Sequence, residues 1–274
     1  MPRGTGIPRW ALRMGHSIRI TRSIPYAEKS RHTLDVCRPK NAAGAPVVVF
    51  FYGGAWRSGY KELYRYVGKA LARRGYVAVI PDYRIFPEAR YPDFVEDGAR
   101  VVRWVKDNVS RFGGDPDKIF LKGHSAGAHI AAMLAIDSSW LRAVGLEPAR
   151  DIAGLIGLAG PYDFMPLRDA TLAVIFGGAN RPETQPIFHV APGAPPALLL
   201  TGGKDWLVEP GNATRLAARL SAAGNVATVR TYRRVGHFAI VAALAPLLRL
   251  FVPVLRDTEA FIASVLQEQQ TSTA

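Results

Sequence analysis

Short runs of apolar, β-branched and aromatic residues recur along the chain. Between them lie longer stretches in which apolar positions return every three or four residues. Val47–Tyr52 reads VVVFFY, the nearly unbroken apolar run that a strand buried on both faces requires. Tyr76–Ile80, Ile119–Lys122, Ile152–Ala159, Ala197–Thr201 and Ala227–Tyr232 follow as strands, and Ser17–Thr21 with Thr33–Arg38 predicts an opening antiparallel pair. The helical period predicts helices over Lys61–Arg74, Phe94–Phe112, Ala126–Ile136, Glu209–Ala223 and Asp257–Gln267, with Gly75, Gly113-Gly114 and Gly224 at helix ends. This alternation predicts an α/β protein with an eight-stranded, mostly parallel sheet covered by helices on both faces. A closed barrel is disfavoured, because the first two strands have no helix between them and residues 161–195 break the alternation. That stretch is rich in Pro, Gly and polar residues around the apolar island Leu172–Phe176, and is expected to be a small lid-like insertion.

At 274 residues the chain is near the upper size of a single hydrophobic core, so one domain over 16–274 is expected, preceded by an arm over 1–15. Residues 1–15 are basic and hold Pro2 and Pro8, without the continuous apolar stretch of a secretory leader. The single cysteine, Cys37, excludes an intrachain disulfide and a multi-cysteine metal site; it allows a reducing compartment without proving one, and a cytoplasmic location is expected. The net charge of +13 changes little: residues 1–40 carry nine Lys/Arg against two acids, and the other cations are scattered. With no zinc-finger spacing, RNA-binding aromatic motif or basic heptad run, a solvated basic surface is expected and no nucleic-acid partner. Phe238–Leu255 runs for 18 residues with Arg249 as its one charge, which is just long enough to span a bilayer. Pro246 and Pro253 argue instead for a bent buried segment or an apolar rim, and so against stable membrane insertion.

The sharpest chemical signal is Gly123-His124-Ser125-Ala126-Gly127, the one Gly-x-Ser-x-Gly in the chain, lying between the strand IFLK and the small-residue helix at Ala126. A tight strand-to-helix turn there would hold Ser125 strained, with its hydroxyl presented at the positive end of a helix. Serine needs a base to take its proton, and the base needs an acid to orient it. Of the six histidines, His237 follows the last strand, at the edge where parallel sheets place their sites, and His189 is its rival. The acid should follow an intermediate strand. Asp205, just past ALLL and a glycine turn, is the candidate, with Asp163 as runner-up. The order serine, aspartate, histidine differs from that of trypsin-like and subtilisin-like proteases. The N–H of Ala126 and the glycine loop Gly53-Gly54-Ala55 after VVVFFY are candidate donors to an oxyanion. Trp56, His124, Trp206 and Phe238 adjoin these loops and are candidate pocket residues.

Together FYGGAW (51–56), PDYRIFPEARYP (81–92), GHSAG (123–127), GGKDWLV (202–208) and GHF (236–238) resemble the α/β-hydrolases of the carboxylesterase and hormone-sensitive-lipase-like group. They are especially similar to the branch holding bacterial esterases and arylformamidase (kynurenine formamidase). The resemblance implies the α/β-hydrolase fold, the triad Ser125–Asp205–His237, and neither metal nor organic cofactor. One departure is Tyr52, where the group usually has histidine ahead of its glycines. The expected function is hydrolysis of small uncharged carboxylic esters through an acyl-enzyme. The alternatives are hydrolysis of N-formyl amides by the same residues, and a non-catalytic binding protein on the same fold. The expected partner is a small-molecule ester or amide, and a homodimer is compatible with the sequence.

Overall fold

The computed structural model describes residues 17–272; the expected arm at 1–15 lies outside the described residues. The strands are β1 (Ile18–Pro25), β2 (Thr33–Pro39), β3 (Ala45–Phe51), β4 (Val77–Pro81), β5 (Gly114–His124), β6 (Gly154–Leu158), β7 (Ala197–Gly202) and β8 (Ala227–Tyr232). They form one eight-stranded sheet in the order β1-β2-β4-β3-β5-β6-β7-β8. The β1–β2 and β2–β4 pairs are antiparallel, and every other pair is parallel. The expected architecture is present.

The helices are α1 (Arg65–Ala72), α2 (Asp93–Asn108), α3 (Ala126–Ile136), α4 (Ser138–Arg142), α5 (Pro148–Asp151), α6 (Ala170–Phe176), α7 (Gly211–Ala222), α8 (His237–Ala242) and α9 (Val254–Ser272). Every residue of β3, β4, β6 and β7 is buried, as strands covered on both faces must be. The helix expected over Lys61–Arg74 is shorter than its period suggests. Lys61–Tyr64 form a 3-10 turn, and α1 begins only at Arg65. The cause is tertiary: Asp82, at the end of β4, accepts the Lys61 N–H at 2.8 Å and faces its ammonium at 3.3 Å.

The expectation of a bent segment after His237 holds, but the expectation that it is buried does not. The chain runs through α8, turns at 243–247, makes a 3-10 turn at Leu248–Leu250 and enters α9. Val241, Leu244 and Val254 anchor it in the core, while Leu247, Leu250 and Phe251 stand in solvent. Pro246 and Pro253 keep it from becoming one long helix that could hide all its apolar side chains. Among the described residues, no helix is long and apolar enough to cross a membrane.

One buried charge bears on stability. Lys122, on β5 three residues before Ser125, is fully buried, and its ammonium meets Thr258 Oγ1 at 2.6 Å. Burial pushes its pKa down to about 7. The Thr258 hydroxyl donates to the Val254 carbonyl at 2.8 Å, so it keeps a partner if the lysine is removed. Lys122→Met should therefore stabilise the protein by roughly 1–4 kcal/mol at pH 7, measured by denaturant unfolding. Between pH 7 and the ordinary lysine range the unfolded chain holds a proton that the folded one has released. Wild-type stability gains from rising pH there, and the advantage of Lys122→Met should shrink from pH 7 to pH 10. An advantage unchanged over that range would show that Lys122 is charged in the folded protein throughout.

Candidate active site

Ser125 stands between β5 and α3 with φ 53° and ψ −122°, a conformation that a non-glycine residue adopts only under constraint. Its N–H donates to the Leu158 carbonyl of β6 at 2.9 Å, and its carbonyl accepts from Ala128 and His129 as α3 begins. Gly127 permits this turn, since a Cβ there would collide with the Phe51 carbonyl of β3. Half-exposed Ser125 thus stands above the carboxyl edge of the sheet, and the N–H of Ala126 belongs to a first helical turn with no intrahelical acceptor.

Two other loops converge on the serine. His237 opens α8 with its Nε2 2.9 Å from Ser125 Oγ and its Nδ1 2.8 Å from Asp205 Oδ2. Asp205 Oδ1 accepts from the N–H groups of Leu207 at 3.0 Å and Val208 at 2.9 Å, which locks the carboxylate in place. A carboxylate can only accept, so Nδ1 carries the imidazole proton and Nε2 is left to accept from the serine hydroxyl. His237 and Asp205 are both buried. The two rivals lie elsewhere: His189 pairs with Asp137 at 3.3 Å, and Asp163 pairs with Arg215.

The loop after β3 brings Gly53 against the serine, where a Cβ would come within 3.0 Å of Ser125 Cβ and 2.8 Å of His124 Nδ1. Ala55 and Trp56 both take left-handed backbone angles, φ 50° and 56°. The Gly54 carbonyl closes a turn by accepting from Arg57 and Ser58, whereas the Gly54 and Ala55 N–H groups make no hydrogen bond within the described residues. Strained backbone needs support, and Tyr52 supplies it. Its phenol donates to Asp82 Oδ1 at 2.7 Å and accepts from Arg31 Nη2 at 2.8 Å; Arg31 also holds the Gly59 carbonyl at 2.7 Å. Tyr83 donates to the Tyr52 carbonyl at 2.8 Å. The buried phenol and carboxylate, with the half-buried Arg31 guanidinium, thus brace the loop from behind.

The four candidate pocket residues divide. Trp206 and Phe238 are exposed beside Asp205 and His237. Trp56 and His124 are interior. Trp56 packs against Phe164 and Phe176 of the 161–195 stretch, at 5.8 and 4.8 Å between ring centroids. That stretch is tied down: His129 Nε2 meets the Thr184 carbonyl at 2.8 Å, and Asn212 Oδ1 accepts from Tyr162 and Asp163. His124 donates from Nε2 to the His237 carbonyl at 3.0 Å, and burial followed by the nearby His237 pushes its pKa down to about 3. It is a neutral strut behind the imidazole. Sequence reasoning missed this role of His124, and also the bracing by Arg31, Lys61 and Asp82. The aspartate and Tyr83 were visible only as part of PDYR. Among the described residues, no group of three or more His, Cys, Asp or Glu could hold a metal ion.

Comparison with known proteins matches the chain to one family model, to curated relatives and to solved structures. A family model described as BD-FAE matches residues 34–220. The isoprenylcysteine alpha-carbonyl methylesterase ICME of Arabidopsis thaliana is 32% identical over 243 residues, covering 81% of this chain and 57% of that protein. Esterase LipC of Mycobacterium tuberculosis (strain ATCC 25618 / H37Rv) is 29% identical over 221 residues, covering 73% of this chain and 55% of that one. The chain thus spans little more than half the length of these curated relatives. Among solved structures, a truncated carbohydrate esterase from gut microbiota superposes with TM-score 0.78 at 21% identity, covering 90% of this chain and 96% of that one. Apo Thermogutta terrifontis esterase 2 superposes with TM-score 0.74 at 23% identity, covering 89% and 94%. These structural likenesses establish the fold.

Proposed function

The chain belongs to the BD-FAE family and has the α/β-hydrolase fold, and from that premise we propose that it is a serine hydrolase cleaving small uncharged carboxylic esters through an acyl-enzyme. The observation that carries the reading is the unbroken relay from Ser125 Oγ through His237 to Asp205 Oδ2. Ser125 Oγ attacks the ester carbonyl carbon while its proton passes to His237 Nε2. The tetrahedral oxyanion accepts hydrogen bonds from the N–H of Ala126 and from the loop Gly53–Ala55, where the Gly54 and Ala55 donors are unspent. Collapse expels the alkoxide, which takes the proton from His237. A water, deprotonated by the same imidazole, then attacks the acyl carbon and releases the acid and Ser125. Asp205 holds the imidazole and stabilises its charged form. The names of ICME and LipC, a methylesterase and an esterase, support an ester as the substrate class.

Exposed apolar side chains beside the site support uncharged acyl groups. Trp206 and Phe238 give the approach to His237 an apolar character, and stripping water from a charged acyl group costs several kcal/mol. Each buried methylene contributes about 0.8 kcal/mol while the pocket has room. The test is a panel of p-nitrophenyl esters of increasing chain length, a succinyl ester and N-formylkynurenine. The expected result is kcat/KM rising over short acyl chains and then falling, with the charged ester and the formamide poor. A clear preference for N-formylkynurenine would replace this reading with formamide hydrolysis.

A further inference from the structure

The loops that carry Asp205 and His237 also carry much of the large apolar surface that this protein leaves in water. Trp206 is 81% exposed, Phe238 64%, Leu247 79%, Leu250 79% and Phe251 82%. Single exposed apolar side chains are ordinary; a group of them on adjoining loops marks an interaction surface. Trp206 and Phe238 each adjoin one member of the Asp205–His237 pair, and the 245–251 segment continues the chain from α8. Trp206 is next to Asp205, which meets His237 at 2.8 Å, and the Phe238 ring stands 5.2 Å from the His237 ring. From there α8 leads directly into the 245–251 segment, where backbone bonds from Arg249 to Ala245 and from Phe251 to Leu248 hold the turns. The buried anchors on either side, Leu244 and Val254, leave Leu247, Leu250 and Phe251 projecting.

Charge selects the occupant. Between Tyr232 and Asp257 the chain has four arginines (233, 234, 249 and 256) and no acid. Lys204 and Arg233 come from facing loops: Lys204 N–H donates to the Val235 carbonyl at 3.0 Å, and a Cβ on Gly203 would lie 2.8 Å from Arg233 Cα. Lys204, Arg233 and Arg234 are exposed and have no carboxylate partner among the described residues. A second copy docking this face on itself would bring these cations together, which costs energy. An anionic lipid surface instead accepts both features, apolar side chains below the headgroups and cations among them. We propose that Leu247–Phe251, with Trp206 and Phe238, docks this protein on the surface of an anionic phospholipid bilayer, with Lys204, Arg233 and Arg234 against the headgroups. The contact is peripheral, since the projecting segment is one short turn. It would turn the entrance to Ser125 toward the lipid.

The test is cosedimentation of the whole chain with vesicles of phosphatidylglycerol mixed equally with phosphatidylcholine, against pure phosphatidylcholine. Sizing and hydrolysis of soluble p-nitrophenyl acetate accompany each variant. Wild type should pellet with the anionic vesicles and much less with the neutral ones, and added salt should weaken it. Leu247→Ser/Leu250→Ser/Phe251→Ser should abolish pelleting and keep activity on the soluble ester, since these side chains touch none of the reacting groups. Arg233→Gln/Arg234→Gln should weaken anionic binding roughly 30-fold. The proposal is overturned if wild type stays in the supernatant with both vesicles, or if the triple variant pellets like wild type. A wild-type dimer that the triple variant breaks into monomers would equally overturn it, by assigning the patch to a second copy.

Discussion

Ser125→Ala should lower kcat by roughly 10⁶ while leaving the fold intact, because in the proposed mechanism the triad works as a unit and its nucleophile has no substitute. The serine hydroxyl is small and half-exposed, and its backbone position is held by Ser125 N–H donating to Leu158 at 2.9 Å, a bond that alanine keeps. The strained backbone at φ 53° is tolerated equally by either residue, so stability should change little. What disappears is the hydroxyl 2.9 Å from His237 Nε2, the proposed acceptor of the acyl group. A serine-reactive organophosphate should label Ser125 in wild type and nothing in the variant. The measurement is steady-state hydrolysis of p-nitrophenyl acetate by the purified variant. More than a few per cent of wild-type activity would sink the acyl-enzyme mechanism.

Asp205→Asn should cost about 10⁴ in kcat, and the geometry explains why so isosteric a change does so much. Asp205 Oδ1 accepts from the N–H groups of Leu207 and Val208, so an asparagine must keep its oxygen there. Its amide nitrogen then faces His237 Nδ1, where Oδ2 now stands at 2.8 Å. An amide N–H can only donate, so Nδ1 must give up its proton and Nε2 must carry it. The imidazole is then a donor toward Ser125 and cannot act as its base. Asp163→Asn serves as the control: its carboxylate pairs with Arg215 on α7, and the variant should remain active. If Asp163→Asn were the inactive variant and Asp205→Asn the active one, the orienting acid would be misassigned.

Much of this arrangement is legible from residues alone, for reasons that differ from element to element. VVVFFY reads as a strand because a run that is apolar on both faces has nowhere to go but the centre of a covered sheet, and Val47–Phe51 lie there in β3. Ala227–Tyr232 is a strand with the bounds that its sequence suggests. Ser125, Asp205 and His237 each follow a strand, and a parallel sheet collects such loops at one edge. The first turn before α1 was not legible, because Asp82, twenty-one residues away, competes for the Lys61 N–H. The depth of Trp56 was not legible either: its neighbours Phe164 and Phe176 come from a stretch more than a hundred residues along.

The sequence by itself determined the strand–helix alternation and the sheet with its carboxyl edge, and it offered Ser125, Asp205 and His237 as candidates to meet there. Each rests on local propensity, on periodicity, or on a turn whose chemistry is written within five residues. Only the tertiary structure decided what surrounds them. The phenol of Tyr52 stands between Arg31 and Asp82, and His124 reaches the His237 carbonyl across 113 positions of chain. The apolar segment after α8 shows the same division. Its composition announces burial, but Val241, Leu244 and Val254 take its places in the core, and two prolines keep it from folding into one helix. Leu247, Leu250 and Phe251 therefore face outward, because the core has a finite volume that close packing fills, and which side chains fill it is settled only when all the elements meet.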